Sequence, residues 1–204
     1  MKIVCIGRNY VAHIEELQNE RPAEPVFFMK PDSSLLSGNH PFEIPPWSSN
    51  LHHEIELVLR ITKTGKNMSP EQAGRCFGEI GVGIDFTARD LQSQLASKGL
   101  PWEKAKAFDQ SAVLGSPFLP VEDFDDLRAV TFRLDINGTT VQQGNSGLMI
   151  FGFAEILVHI SRYVTLLPGD LVFTGTPAGV GPVHSGDHLE GYLGSHKMLD
   201  FHCI

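Results

Sequence analysis

Hydrophobic and polar positions alternate along residues 52–60, and this period of two predicts a β-strand. The apolar residues of one face are Ile55, Leu57 and Leu59. Glu54 and Glu56 lie on the opposite face, so their carboxylates point the same way and lie close together. Because the segment is in mid-chain and apolar residues follow it, we expect the carboxylate face to be half buried.

Two like charges held this close need a compensating cation, or the pKa of one carboxyl group must rise. A hard divalent ion with oxygen ligands, such as Mg²⁺, Mn²⁺ or Ca²⁺, is the simplest compensation. A solvent-exposed strand face is the alternative, and it is the more frequent cause of such a pattern. The strand alone leaves both interpretations open.

Further strands are predicted where short apolar runs are bounded by glycine, proline or polar residues. These runs span residues 2–6, 26–31, 78–84 and 171–173. Segments 130–136 and 139–143 are joined by Asn137-Gly138, a dipeptide that favours a two-residue hairpin turn. Since 20 glycines and 13 prolines also favour turns, the pattern predicts a β-rich fold with short helices.

Capping signals predict where three helices begin. The capping residues are Asn9, Ser69 with Gln72, and Thr87 with Asp90. The first helix would place His13 and Glu16 on one face, three residues apart. The third helix is expected to end at Gly99, and an apolar stripe predicts a fourth helix over residues 149–163. Residues 100–119 carry no regular pattern.

Composition limits the class of protein. The chain has 204 residues, of which 42% are hydrophobic, and this predicts one domain. Its formal net charge of −8 argues against nucleic acids and anionic membranes as partners. No apolar run approaches the ~20 residues that span a bilayer, and residues 1–7 predict a first strand rather than a signal peptide. Three widely spaced cysteines indicate neither disulfides nor zinc, so we expect a cytoplasmic protein.

Six short motifs follow one another in a recognisable order. They are Gly7-Arg8-Asn9-Tyr10 with His13 and Glu16, Phe28-Met29-Lys30-Pro31, His53-Glu54-Ile55-Glu56, Asp85-Phe86-Thr87-Ala88-Arg89-Asp90, Lys106-Ala107-Phe108-Asp109 and Thr174-Gly175-Thr176-Pro177. Each motif is weak alone, but the ordered set resembles the fumarylacetoacetate hydrolase family, in particular its small single-domain branch. That branch includes acylpyruvate hydrolases, oxaloacetate decarboxylases and tautomerases of 2-oxo acids.

The resemblance implies an α+β, β-rich fold, a mixed β-sandwich roll of the fumarylacetoacetase C-terminal-domain type with short helices. It implies a single catalytic domain over residues 1–204, which is usually dimeric. It also implies Mg²⁺ or Mn²⁺, with Ca²⁺ as an alternative, bound by Glu54, Glu56 and Asp85. Three carboxylates and one dication would give the site a net charge of −1. The Ser111-Ala112-Val113 stretch departs from the Ser-Cys-Pro of close relatives, which puts the pocket shape in question.

The resemblance implies that His13 and Glu16 form the general base, with the carboxylate orienting the imidazole. The spacing alone favours an ordinary surface pair, and the resemblance reverses that preference. It also implies that the segment bearing the pair is a lid that orders when substrate binds. Lys106 would supply positive charge to an oxyanion or a substrate carboxylate, the alternative being a solvated loop lysine.

The remaining candidates would contact substrate. Arg89 and Gln92 share a face of the predicted helix and would clamp a carboxylate or carbonyl, unless that face is simply exposed. Thr176 lies in a glycine-bracketed turn, where a hydroxyl and backbone N–H groups would meet an anionic group, unless the turn is only a tight turn. Lys30 would line the pocket or pair with a metal ligand. Arg8 would contact substrate or support the lid or a dimer interface.

The leading functional hypothesis is Mg- or Mn-dependent hydrolytic C–C cleavage of acylpyruvates. In it the base activates water, water attacks the distal carbonyl, and the metal stabilises the enolate that leaves. Decarboxylation or keto–enol tautomerisation of oxaloacetate at the same site is the alternative, in which no water attacks. A metal-binding protein without catalysis is a remote third hypothesis. We expect a small 2-oxo acid as the partner, with a homodimer as the assembly.

Overall fold

Strands in three sheets are the main regular structure of the described residues. The computed structural model describes residues 1–16 and 20–204. Its strands are β1 (Ile3–Gly7), β2 (Val26–Lys30), β3 (Leu35–Ser37), β4 (Leu51–His53), β5 (Ile55–Ile61), β6 (Phe77–Asp85), β7 (Thr87–Ala88), β8 (Ala112–Leu114), β9 (Leu119–Pro120), β10 (Thr131–Ile136), β11 (Thr139–Asn145), β12 (Leu171–Phe173), β13 (Gly181–Pro182), β14 (His188–Leu193) and β15 (His196–His202).

The helices are few and short. They are α1 (Val11–Glu16), α2 (Pro70–Gly74), α3 (Arg89–Ser97), α4 (Glu103–Lys106) and α5 (Phe153–Tyr163), together with 3-10 turns at Asp32–Ser34, Val121–Asp123 and Ser146–Leu148. Across the described ranges, none of these helices has the length and apolar character needed to cross a membrane. The predicted α+β, strand-rich class is confirmed.

The largest sheet has eight strands, in the order β2-β1-β12-β5-β6-β8-β3, with β9 paired to β6. Its β1–β12 and β3–β8 pairs are parallel and its other pairs are antiparallel, so the sheet is mixed. A four-stranded sheet has the order β11-β10-β14-β15, and a three-stranded sheet has the order β13-β4-β7. The predicted hairpin is confirmed. Asn137 and Gly138 form the turn between β10 and β11, with φ angles of 51° and 77°.

The strand predicted over residues 52–60 is in fact two strands. β4 pairs with β7 and β13, whereas β5 pairs with β6 and β12 in the largest sheet. The chain changes sheets at Glu54, whose carbonyl accepts a hydrogen bond of 2.9 Å from Asp85 N. The next amide, Ile55 N, donates to the side chain of Gln142 at 3.1 Å. This side-chain partner takes the place of a strand neighbour, which ends the first ladder.

Strand β5 lies at the centre of the largest sheet, between two hydrophobic clusters. Ile55, Leu57 and Leu59 belong to the main core, while Val58 packs in the second cluster on the other face. Full burial of each such side chain contributes ~1.5–3 kcal/mol. Because Glu56 shares the face of Val58, the strand that carries it is held in place from both sides.

Two predicted helix caps are wrong. The Asn9 side chain donates to the carbonyl groups of Phe151 (3.1 Å) and Thr174 (2.8 Å) and accepts a hydrogen bond from Phe151 N (2.8 Å). Thr87 lies in β7, and α3 begins after it without a side-chain cap. In both cases the side chain that local propensity assigns to a helix cap instead forms hydrogen bonds with residues distant in sequence, and for Thr87 that residue is Lys106.

Other boundaries differ by a turn or more. The helix predicted over residues 149–163 begins at Phe153, because the Glu155 carboxylate caps the Gly152 amide at 2.8 Å. Residues 100–119 contain α4, β8 and the first residue of β9, which the prediction missed. The capping box at Ser69 and the end of α3 before Gly99 are confirmed.

Candidate active site

Three carboxylates meet inside the protein. One oxygen from each of Glu54, Glu56 and Asp85 lies within 4.8 Å of the others. Their residues are 5%, 1% and 1% exposed, so water screens them very little. Glu54 lies where β4 gives way to β5, Glu56 lies within β5, and Asp85 is the last residue of the neighbouring β6. The antiparallel pairing of β5 with β6 brings these positions together.

Lys106, at the end of α4, places its ammonium group between two of these carboxylates. Its Nζ lies 2.8 Å from Glu54 Oε2 and 2.7 Å from Asp85 Oδ2. It also donates to Thr87 Oγ1 at 2.6 Å. An ammonium group has three protons, and all three have partners here. The solvated-lysine alternative is therefore wrong, and the Lys106 charge is directed at the carboxylates.

Lys30 approaches the cluster from the other side. Its buried Nζ lies 2.8 Å from Asp85 Oδ1. However, its protons are directed at the Ser111 hydroxyl (2.9 Å), the Ser111 carbonyl (3.1 Å) and the Lys106 carbonyl. Asp85 Oδ1 consequently receives charge from Lys30 but no directed hydrogen bond from the described residues.

Arg89 and Gln92 form part of the same network. One guanidinium nitrogen of Arg89 donates to Glu54 Oε1, and another donates to Gln92 Oε1. The Arg89 side chain is only 12% exposed, so the alternative of an exposed helix face is wrong. Arg89 links the helix α3 to the carboxylate cluster.

The pKa values follow from this uneven supply of positive charge. Burial alone raises the pKa of Glu54, but the charges of Lys106 and Arg89 outweigh burial and hold that pKa well below its usual range. Burial raises the pKa of Glu56 well above its usual value, and the charges of Asp85 and Glu54 raise it further. Burial lowers the pKa of Lys106, yet Asp85 and Glu54 raise it overall. Glu56 is the carboxylate without enough compensation.

The cluster fits a hard divalent cation. Asp85 Oδ1 has no directed donor among residues 1–16 and 20–204, and Glu56 is bound by one backbone amide, Gly175 N, at 2.7 Å. Buried anionic oxygens are costly unless a cation or further donors meet them, and Lys30 Nζ, 2.8 Å from Asp85 Oδ1, does not serve Glu56. Oxygen-only donors at this spacing match the preference of Mg²⁺ and Mn²⁺.

The turn after β12 carries Thr176, and its hydroxyl is not free. It donates to the Ile55 carbonyl at 2.8 Å and accepts a hydrogen bond of 2.9 Å from Gln142 Nε2. In the free protein this hydroxyl is bound by the protein itself, and because Thr176 lines the cavity, its contact with an anionic ligand stays a prediction. The neighbouring Gly175 amide does meet an anion, but that anion is Glu56.

His13 and Glu16 face the same site from α1. His13 Nδ1 lies 3.1 Å from Glu16 Oε2, and Glu16 Oε1 accepts a hydrogen bond of 3.0 Å from Gly179 N. His13 is only 6% exposed and lines the cavity, so an ordinary surface pair does not describe it. Within the described part of the chain, Nε2 is the ring nitrogen left without a hydrogen bond.

A cavity of about 200 Å³ opens above the carboxylates. The residues that line it are Ile6, Gly7, Arg8, His13, Phe28, Glu54, Glu56, Asp85, Arg89, Gln92, Ser93, Ala96, Trp102, Lys106 and Thr176. Of the residues proposed from the sequence, Glu16 and Lys30 are absent from this wall and act through the side chains they contact. The volume is below the range of drug-sized ligand pockets, which fits a small acid.

Six wall residues were not proposed from the sequence, namely Ile6, Gly7, Phe28, Ser93, Ala96 and Trp102, and a local signal existed for two of them. Ser93 and Ala96 continue the helical face begun by Arg89 and Gln92, at spacings of three, four and seven residues. Phe28 and Trp102 form an aromatic wall, with ring centroids 6.3 Å apart in an edge-to-face arrangement. No sequence pattern pairs these two rings, since they come from β2 and the loop before α4.

Arg8 lines the cavity with an unusual backbone conformation. Its φ angle is 58°, in the left-handed region that residues other than glycine rarely adopt. Such strain often occurs at functional sites. Among residues 1–16 and 20–204, the Arg8 guanidinium enters no ion pair, which leaves its charge available to the cavity.

A second group of potential ligands lies on the four-stranded sheet, and it has its own cation. His188, Glu190 and Asp200 offer ligand atoms within 4.8 Å of one another and are half-buried. Lys197 Nζ contacts Glu190 at 3.1 Å and Asp200 at 2.6 Å. This group is a surface ion-pair network, unlike the buried cluster of Glu54, Glu56 and Asp85.

Comparisons with known proteins agree with this geometry. Residues 2–198 match the family described as Fumarylacetoacetate (FAA) hydrolase C-terminal. The chain is 40% identical to oxaloacetate tautomerase YcgM of Escherichia coli (strain K12), over 97% of this chain and 90% of that protein. It is 42% identical to the mitochondrial oxaloacetate decarboxylase of Dictyostelium discoideum, over 100% of this chain and 94% of that protein.

A solved structure extends the likeness to three dimensions. Fumarylpyruvate hydrolase from Pseudomonas aeruginosa, in complex with Mn²⁺ and pyruvate, superposes with a TM-score of 0.94 at 36% identity. The match covers 100% of this chain and 89% of that one. With a matching family description, whole-length relatives and a shared fold, the chain belongs to the fumarylacetoacetate hydrolase family of enzymes.

Proposed function

We propose that this protein is a divalent-metal-dependent enzyme that interconverts the keto and enol forms of oxaloacetate. The observation that carries the proposal is the buried cluster of Glu54, Glu56 and Asp85 beside His13, in a cavity of about 200 Å³. Whole-length relatives bear the names oxaloacetate tautomerase and oxaloacetate decarboxylase. These names support the second hypothesis from the sequence, and for that reason we propose it before acylpyruvate hydrolysis.

Charge supports a dianionic substrate. The formal charges of Lys30, Lys106 and Arg89 sum to zero with those of the three carboxylates, although these cations contact only Glu54 and Asp85 of the three. A dication held by Glu54, Glu56 and Asp85 would therefore leave the site with two positive charges, not the single negative charge expected from the carboxylates alone. Oxaloacetate carries two negative charges at neutral pH, so the loaded site would attract it.

The ion, when bound, supplies Lewis acidity that stabilises negative charge on the substrate's keto oxygen. The chain's own residues would handle the proton. His13 Nε2 faces the cavity side of the pair, so it would take the proton from C3 of the keto form and return it to the oxygen on C2. Glu16 would hold the ring through Nδ1 and stabilise its charged form. The atoms balance without water.

Acylpyruvate hydrolysis is the second candidate, and one observation favours it. The superposed Pseudomonas aeruginosa enzyme is named a fumarylpyruvate hydrolase and contains Mn²⁺ and pyruvate. In that reaction, His13 would take a proton from water, and the hydroxide would attack the distal carbonyl. The bond between C3 and that carbonyl would break, His13 would return its proton to the oxygen on C2, and an acid and the enol of pyruvate would leave. The same residues serve both reactions.

The proposal also includes the domain organisation, the oligomeric state, the cellular location and the identity of the ion. We propose that residues 1–204 form a single catalytic domain, that the protein is a homodimer, and that it acts in the cytoplasm. Mg²⁺ is the proposed ion, with Mn²⁺ as the ion found in the superposed hydrolase and Ca²⁺ as an alternative. The role of α1 as a lid also stays a prediction.

A substrate assay tests the reaction type. With Mg²⁺ present, the protein is expected to accelerate the ketonisation of enol-oxaloacetate, which is measured as the loss of the enol absorbance. EDTA should abolish the acceleration. Acetylpyruvate and fumarylpyruvate are assayed in parallel, with product identification. Cleavage of an acylpyruvate without any acceleration of ketonisation would replace the first candidate by the second.

Variants of the pair on α1 test the base. His13→Ala should lower turnover by about 10²–10⁴-fold, the usual contribution of a positioned base. Glu16→Gln should lower it less, because the ring stays while its orienting charge is lost. Glu15→Gln is the matched control, since Glu15 is an exposed neighbour on the same helix. Equal turnover for His13→Ala and the wild type would remove this role.

The raised pKa of Glu56 predicts a specific stability change. A carboxyl whose pKa is higher in the folded chain binds its proton more tightly there, so it favours folding at low pH. This contribution is lost as the pH rises through the folded-state pKa. In metal-free protein, Glu56→Gln should therefore raise the melting temperature at pH 7–8, because folding must then either bury the Glu56 charge or bind a proton that the unfolded chain has lost.

The same variant should lose the stabilisation that a bound ion gives. At a Mg²⁺ concentration of 100 times Kd, wild type should gain about 2.7 kcal/mol, and Glu56→Gln should gain far less. Glu71→Gln, at an exposed position on α2, should behave like wild type with and without Mg²⁺. A melting temperature for metal-free Glu56→Gln below that of wild type would contradict the charge argument.

A further inference from the structure

The side chain of Gln142 reaches from β11 into the framework behind the site. It is 1% exposed and makes four polar contacts. Its Oε1 accepts a hydrogen bond from Ile55 N at 3.1 Å and lies 2.8 Å from His53 Nδ1. Its Nε2 donates to Thr176 Oγ1 at 2.9 Å and to the Pro177 carbonyl at 3.0 Å. Both ends of the amide are fully used.

The oxygen end holds the chain on both sides of Glu54. His53 is the last residue of β4 and Ile55 is the first of β5, and Gln142 Oε1 contacts both. At this point the backbone passes from one sheet to another, so neither ladder fixes it alone. Gln142 fixes it together with the hydrogen bond from Asp85 N to the Glu54 carbonyl.

The nitrogen end holds the middle of the turn over residues 174–179. At one end of this turn, Gly175 N donates to Glu56 Oε2 at 2.7 Å. At the other end, Gly179 N donates to Glu16 Oε1 at 3.0 Å. One short segment therefore binds a carboxylate of the cluster and the carboxylate that orients His13.

β11 also packs directly against this turn. A Cβ atom at Gly179 would lie 2.4 Å from the Val141 carbonyl oxygen, and the φ angle of Gly179 is 97°. A residue other than glycine would thus be both strained and too close to β11. Residues 141 and 142 together set the position of the turn.

We propose that Gln142 is a positioning residue that sets the distance between the His13–Glu16 pair and the carboxylate cluster. It touches neither His13 nor the cluster, and acts through Ile55 on one side and through the turn on the other. The inference rests on the proposed function, in which that distance separates the base from the metal ligands. A purely structural role would require only that buried polar groups be paired, and would affect stability alone.

Two substitutions separate the two ends of the amide. Gln142→Leu removes all four contacts at similar size. Gln142→Glu keeps an oxygen toward Ile55 N but places an acceptor against the Pro177 carbonyl, which should push the turn away. Gln143→Leu is the matched control, because Gln143 is the exposed neighbour on the same strand.

Hydrogen exchange of the Gly175 and Gly179 amides is measured on metal-free protein, and Mn²⁺ affinity is measured by electron paramagnetic resonance. Both Gln142 variants should exchange these amides at least ~10-fold faster. Gln142→Leu should weaken Mn²⁺ binding by about 10–100-fold, the usual effect of losing a residue that orients ligands. Gln142→Glu should lower kcat by about 10–100-fold with a smaller change in Mn²⁺ affinity, since it disturbs mainly the turn and the Glu16 end.

Wild-type exchange and wild-type kcat in Gln142→Glu would overturn the proposal, even if its melting temperature fell. If Gln142→Leu fails to fold, Gln142→Glu alone decides. Absence of Mn²⁺ binding by the wild type would instead overturn the proposed function. The exchange of Gly175 and Gly179 would still report on Gln142, so the two failures are distinguishable.

Discussion

The structure depends on holding three carboxylates inside a strand-rich core. Glu54, Glu56 and Asp85 are each at most 5% exposed, and their oxygens lie within 4.8 Å of one another. Charges buried this close repel strongly, and folding is possible only if cations and donors offset the repulsion. The placement of Lys30 and Lys106 follows from this need. Both lysines are buried although lysine rarely is.

The three carboxylates are not compensated equally, and this difference is the basis of the proposed metal site. Glu54 is bound by two cationic side chains, whereas Glu56 has one backbone amide and a pKa raised by burial and by its acidic neighbours. Within the part of the chain that the structure describes, Glu56 therefore has no cationic side chain in contact with it, and a divalent ion would supply the missing positive charge. The turn that supplies the amide to Glu56 also supplies one to Glu16. The same backbone thus ties the charge of the cluster to the orientation of His13.

Local patterns in the sequence predicted the strand β5, the hairpin of β10 and β11, and the capping box at Ser69, because each is set by neighbours along the chain. The ordered motifs identified the acidic cluster. The break at Glu54, the loss of the cap at Thr87 and the role of Gln142 were not predicted. Each depends on a partner from a distant segment, and the local pattern of hydrophobic and polar residues does not indicate which segment that is. The two hydrogen bonds of the Thr176 hydroxyl, to the Ile55 carbonyl and from Gln142, were not predicted for the same reason.

Anomalous diffraction from crystals grown with Mn²⁺ would show whether the buried carboxylates bind a divalent ion. We expect one strong peak per chain at about 2.1 Å from an oxygen of each of Glu54, Glu56 and Asp85, a distance typical of small hard cations. The peak should disappear in Glu56→Gln. A peak at His188, Glu190 and Asp200 with none at the buried cluster would mean that the exposed ion-pair network is the cation site and that the buried carboxylates are not.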